Sequence, residues 1–412
     1  MTGKSTRASE RKNLFSRRRF IAKSAAATAG FAIVRPSAVR GFDANSRIEV
    51  GCIGLGGRGS LIAGMLVEHE GFQVISAADY FPEVVRSAGD KLSVAENRRY
   101  SGLSGYQKLI AGKVDAVFCE TPPYCFGKHV TAATDAGCHV YLAKPVACDA
   151  PGCLAIRAAA KKASKNKQVF LVDFQTRTDP FFIEAIKRTN NGLIGEVGLL
   201  SSFYTDEAFP DPPLTGNIES RLQSLIWVND IALGGGQLVC AGIHAVDVAL
   251  WIAGTHPVSA VGSSRIARHD PHGNSADVYS VTYRFENGLI LNHRGEHMRN
   301  THGFQCSCFA FGQDGYMETN YTGKVSIRGN KGGYRGGEIT NLYVDGIRRN
   351  LDTFHRSIVN GIYGNPTVQP SIDSTLATIL GREAAARNTK VTWDEIISEN
   401  KKLEVDLTGL RA

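Results

Sequence analysis

Between an apolar stretch at residues 48–53 and another at 61–67 the chain reads Gly54-Leu55-Gly56-Gly57-Arg58-Gly59. A strand must turn sharply into a helix at this point. Gly54 permits the turn, Gly56 lets backbone approach a pyrophosphate, and Gly59 lets the helix sit close on the strand, while the helix start offers unpaired N–H groups and a partial positive charge. Asp79 closes the next apolar run, 25 residues after Gly54. A carboxylate there accepts hydrogen bonds from ribose hydroxyls and repels a 2′-phosphate. The motif therefore reads as a dinucleotide site that favours NAD(H) over NADP(H), with Arg58 a nearby charge able to offset part of that repulsion.

A chain of 412 residues suggests two domains. The formal charge of +8 points towards nucleic acid or anionic lipid until it is located. Ten of the 47 basic residues and one of the 39 acids fall in residues 1–40, which leaves 37 and 38 for the rest. A body with net charge −1 and no basic stripe gives no support to a nucleic-acid role. The leader holds Ser16-Arg17-Arg18-Arg19-Phe20-Ile21, then Lys23 and a mild apolar stretch at 25–34, too short to span a bilayer. This matches a twin-arginine export signal over residues 1–40, with Ala38 a candidate cleavage site, and places the protein outside the cytoplasm. That route carries folded proteins, so a cofactor would be collected before export. Nine cysteines, an odd number and scattered, read as reduced core residues rather than a disulfide framework. Cys306 and Cys308 share a strand face but have no second pair, so no metal is expected.

Over residues 46–172 short apolar runs at 48–53, 74–78, 114–119, 139–142 and 169–172 alternate with helical stretches. This is the pattern of a parallel sheet with ligands beyond its carboxyl edge, and it places Thr121 and Pro122 at the cofactor. From 173 to 412 the texture changes. Strands are expected at 199–204, 258–266, 278–285 and 289–295, with a hairpin at Glu286-Asn287-Gly288, and helices at 180–188, 244–252, 351–360 and 374–387. The fold class expected is α/β plus α+β: a Rossmann domain followed by a substrate domain with an open, mainly antiparallel sheet and C-terminal helices. One uncovered sheet face would serve contact with a second copy in a homo-oligomer. The glycine-rich stretch 329–337 reads as a flexible loop bordering the substrate cleft.

Hydride chemistry on a carbinol needs a group that exchanges the hydroxyl proton and a donor that polarises the oxygen. Lys144, before Pro145 at the end of a sheet strand, and His244 are the candidates. Asp247, three residues beyond His244, is placed to orient the imidazole. Arg177, Asp179, Tyr204, Trp227, Asn229, His293 and His297 offer polar and aromatic groups for a polyol or sugar, with Trp227 the best stacking face.

Thr121-Pro122-Pro123-Tyr124 with the run from Gly137 to Ala143-Lys144-Pro145, then Gly234-Gly235-Gly236 to His244-Ala245-Val246-Asp247, resembles the Gfo/Idh/MocA oxidoreductase family. The likeness covers residues 46–410, and the leader and the ending with Leu380-Gly381-Arg382-Glu383 are similar to its exported, glucose-fructose oxidoreductase-like members. The resemblance implies that Lys144 and His244 lie near the nicotinamide. Three positions depart from the family pattern: Ala143 replaces a Glu, Phe126 stands where a His is usual, and Cys240 takes an acid-like position. The resulting expectation is an NAD(H)-dependent oxidoreductase of sugars, glycosides or polyols with tightly bound cofactor. The alternatives are cleavage assisted by transient oxidation and a noncatalytic sugar- or cofactor-binding protein.

Overall fold

The computed structural model describes residues 47–412 other than 212, 214, 224, 270 and 301, and the expected twin-arginine signal over residues 1–40 lies outside the described residues. The first half builds a six-stranded sheet: β1 (Ile48–Ile53), β2 (Phe72–Asp79), β3 (Arg99–Ser101), β4 (Ala116–Cys119), β5 (His139–Ala143) and β6 (Phe170–Asp173). All neighbours are parallel, in the order β3-β2-β1-β4-β5-β6. Helices α1 (Gly57–Glu68), α2 (Pro82–Lys91), α3 (Gly105–Ala111), α4 (Pro123–Asp135) and α5 (Ala150–Lys165) connect them. The strand order reverses between β1 and β4, and the crevice beyond their carboxyl ends is where such a sheet binds ligand.

After α6 (Pro180–Asn190), β7 (Val197–Asp206), the short α7 (Ile231–Gly234) and α8 (Ile243–Ala253), the chain forms a nine-stranded sheet. Its remaining strands are β8 (Ser259–Arg265), β9 (Val278–Arg284), β10 (Ile290–His297), β11 (Gln305–Gly312), β12 (Gly315–Asn320), β13 (Gly323–Gly329), β14 (Gly332–Ile339) and β15 (Val391–Thr392). Only β7 and β10 run parallel; every other pairing is antiparallel. Along β7, Leu200, Ser202 and Tyr204 are buried while Leu199, Ser201 and Phe203 are less so, which is the period of two of a sheet with one covered face.

The stretch 329–337 is not a loop. It forms the ends of β13 and β14 around a two-residue turn, and none of it lines the cleft. The glycines there serve close packing: Gly337 has φ +140°, and a Cβ on it would lie 2.7 Å from the Phe181 ring.

Helices α9 (Leu342–Val359), α10 (Val368–Arg387) and α11 (Trp393–Glu399) end the fold. The sequence reading started α9 and α10 too late. On α9, Ile347, Leu351, Phe354 and Ile358 recur at helical spacing and pack on the first sheet against Val50, Phe72, Phe118 and Tyr141. Gly346 weakens the local helix signal, but a Cβ there would run into Gln175. Thus α9 leaves the second sheet and covers the first.

Candidate functional site

A cavity of about 1230 Å³ opens beyond the carboxyl edge of the parallel sheet. Gly54, Gly56, Gly57, Arg58, Gly59, Asp79, Thr121, Pro122, Lys144, Tyr204, Trp227 and His244 all contribute to its walls. Gly54 sits at φ +88°, and a Cβ would come within 2.7 Å of the Glu120 and Thr121 backbone. On Gly59 a Cβ would strike the Gly54 carbonyl oxygen, whereas on Gly56 and Gly57 it would meet nothing within 4 Å. The two outer glycines thus allow the turn and the middle two face open space. No side chain caps α1, which leaves its first N–H groups available to a ligand. These features fit a dinucleotide.

Leu55 departs from the sequence expectation. Its side chain is buried in the core, away from the cavity, and its contribution is a backbone N–H donated to Asp79 at 2.7 Å. Asp79 also accepts from Phe81 N at 3.1 Å, and burial raises its carboxyl above the usual range. Arg58 is held by Asp173 and by Glu120 at 3.4 Å, and its guanidinium stacks 4.9 Å over Tyr343. Two carboxylates therefore claim the charge that the sequence left available to a 2′-phosphate.

Lys144 donates to the Cys240 carbonyl at 2.8 Å, within a π-helical turn (Leu238–Gly242) that leads into α8. Burial, then Arg58, lowers its ammonium to about 8. His244, 8% exposed, lies one helical turn beyond Cys240, with its ring among Tyr204, Phe174 and Tyr321. Its Nδ1 has no hydrogen-bond partner, and burial keeps the imidazole neutral, well below its ordinary range. The Cys240 thiol donates to Gly234 O at 2.7 Å, and burial pushes it up to about 12, so this cysteine is a packing residue rather than a thiolate.

Several expected ligand residues are structural. Asp247 does not orient His244: fully buried, it pairs with Arg177 at 2.9 Å and accepts from Ser374 at 2.6 Å. Arg177 stacks on Trp251, and neither Arg177 nor Asp247 reaches the cavity wall. Asp179 caps α6, Asn229 holds the carbonyls of Phe209 and Pro210, and His293 bonds to Ser202. Neither Asn229, Asp179, His293 nor His297 lines the cavity. Conversely, Glu120, His129, Asp206 and Tyr321 do, and sequence reasoning passed over them. Glu120 is buried with one oxygen unpartnered, and burial raises its carboxyl to about 8. His129 meets Thr121 Oγ1 at 3.3 Å, three residues beyond Phe126. The signals were a carboxylate beside Thr121 and a histidine one turn after the position where one is usual.

Two family profiles match the chain. Residues 48–171 match "Oxidoreductase family, NAD-binding Rossmann fold", and residues 182–334 match "GFO/IDH/MocA C-terminal domain". The chain belongs to the Gfo/Idh/MocA oxidoreductase family. Among curated relatives of this Gfo/Idh/MocA protein, an inositol 2-dehydrogenase of Rhizobium meliloti is 24% identical over 83% of the chain and 96% of its own length. The D-glucoside 3-dehydrogenase of Escherichia coli is 26% identical over 44% of the chain and 49% of its length. Among solved structures, an aldose-aldose oxidoreductase from Caulobacter crescentus complexed with glycerol has TM-score 0.68 at 21% identity, covering 84% of this chain and all of its own. GenD2 from gentamicin A biosynthesis, in complex with NAD, has TM-score 0.68 at 18% identity, covering 86% and 98%. These structures share the Rossmann-plus-antiparallel-sheet fold.

Proposed function

We propose that this oxidoreductase moves hydride between NAD(H) and a ring hydroxyl of a sugar, glycoside or polyol in the cleft between the two sheets. The observation that carries this reading is the meeting of Lys144, His244 and the glycine turn in the wall of one cavity. NAD bound there supplies the hydride acceptor. The neutral His244 accepts a hydrogen bond from the substrate hydroxyl and orients it. Lys144, poised at about 8, exchanges the hydroxyl proton, because a base is most effective with a pKa near the working pH. Trp227 and Tyr204 offer aromatic faces to the C–H surface of a ring, with Asp206 on the polar rim. The names of the relatives, dehydrogenases of inositol and glucoside, support that substrate class.

Substituting Lys144→Ala together with His244→Ala is expected to lower kcat/KM by about 10²–10⁴-fold or more. A double variant as fast as the parent would remove both residues from the mechanism. Oxidation should also gain rate as pH rises through about 8, where Lys144 loses its proton.

Asp79 at the ribose position and the engagement of Arg58 by Glu120 and Asp173 support NAD over NADP. The arginines at 17 and 18 support export with the cofactor already loaded and firmly held. Denaturing the exported protein and identifying the released nucleotide by absorbance and mass tests this. Recovering none, with weak uptake of added NAD, would overturn tight retention. On the open sheet face Phe203, Phe309 and Phe311 form a partly exposed ring cluster suited to a second copy, and light scattering that gave only monomer would rule this out.

A further inference from the structure

Beyond α11 the chain runs without regular structure from Asn400, a left-handed residue, along the edge of the parallel sheet. Both matched profiles end well before it, at residues 171 and 334. Leu403, Val405 and Leu407 are partly buried while Lys402, Glu404, Asp406 and Thr408 are exposed, so an extended segment lays one apolar side on the protein. Leu403 N donates to Asp149 at 2.8 Å, and Leu103 N donates to Arg411 O at 3.0 Å. Leu407 and Ala412 line the cavity, at the end that also holds Asp79, Gly102 and Leu103.

Three segments meet there. Tyr80, the residue after Asp79, donates its hydroxyl to Glu219 at 2.8 Å and accepts from Arg411 N at 3.2 Å. The Arg411 guanidinium reaches Glu219 at 3.3 Å and lies 5.2 Å over the Tyr80 ring. Glu219 belongs to the 207–225 segment, whose Leu222 and Gln223 form another part of the cavity wall. We propose that residues 402–412 form a strap over the adenosine end of the cavity, fastened by the Tyr80–Glu219–Arg411 cluster, and that unfastening it sets the rate at which the dinucleotide leaves. This rests on the dinucleotide reading above and adds to it a device for retention. Arg411 and Glu219 are half and 39% exposed, so salt should loosen the fastening.

The test is the dissociation rate of NADH from the full-length protein, followed by loss of bound-NADH fluorescence after a chase with excess NAD. The variants are Arg411→Ala, Glu219→Gln and a chain ending at residue 401. The variants should release NADH about tenfold faster or more, with a much smaller change in association rate, and added salt should speed release from the parent but not from Arg411→Ala. If the shortened chain fails to fold, the two point variants decide. Release at the parent rate from both point variants overturns the strap while leaving the dinucleotide site intact. A parent that binds no NADH overturns the dinucleotide reading itself, and the strap with it.

Discussion

Asp247 sits one helical turn from His244, yet both of its oxygens face Arg177 and Ser374. Spacing along a helix brought the carboxylate to the right height, but a guanidinium from a segment 70 residues earlier claimed it. Removing Arg177 leaves that buried charge without a cation and with only the Ser374 hydroxyl as partner, so Arg177→Ala should cost about 3–5 kcal/mol in denaturant unfolding without raising KM. A raised KM with unchanged stability would instead return Arg177 to the substrate. The glycine turn, Asp79, Lys144 and His244 were legible because each follows from local strand, turn and helix chemistry. Glu120 was not, since its meaning depends on Arg58 and on a lysine approached only in three dimensions. With Ala143 in place of the motif's carboxylate, Glu120, whose carboxyl burial raises to about 8, acts on Lys144 as a negative charge once it ionises above that pH. Glu120→Gln should therefore move the pH midpoint of oxidation to lower values, read from kcat/KM against pH.

Among the elements, five of the six parallel strands stood out because each is a short, mainly apolar run bounded by helix, whereas β3, Arg99-Tyr100-Ser101, carries no such run and was not expected; β7 to β10 were recognisable from alternation. The outer strands β12 to β14 were hidden by glycines and polar residues on a half-exposed edge, where composition resembles a loop. Helix α9 was read only in its second half, because its first turns draw their stability from packing on the first sheet rather than from propensity. Phe354 is fully buried there, with rings of Phe72, Phe118 and Tyr141 at 5.4 to 6.3 Å. Phe354→Ala should destabilise the protein by about 3–5 kcal/mol in chemical denaturation. A loss below 1 kcal/mol would mean that α9 merely rests on the sheet.

For the molecule as a whole, four histidines are buried in neutral form and a fifth, His139, is partly buried: burial lowers His129 and His293 to about 3, His139 and His297 to about 4, and His244 further still. An unfolded histidine titrates near 6.5, so the unfolded chain binds more protons wherever the pH lies below that value. The stability these groups contribute is complete above about pH 6.5 and is lost as pH falls through the range towards 3. Thermal melts should show Tm steady above pH 7 and dropping steeply between pH 6 and 4, and a flat profile there would contradict the burial of these rings. Residues 47–412 form one compact unit, although the sequence texture divides them near residue 173. The return of α9 to the first sheet has a consequence for the order of synthesis. When β6 leaves the ribosome, the sheet face that receives Phe354 is covered only in part, by α1, and it stays so until Val359 has been made. At about 5–20 residues per second that interval is on the order of 10 to 40 s. The nascent N-terminal half must therefore be shielded by a chaperone or wait half-formed, and its nucleotide crevice matures only after most of the chain has been translated.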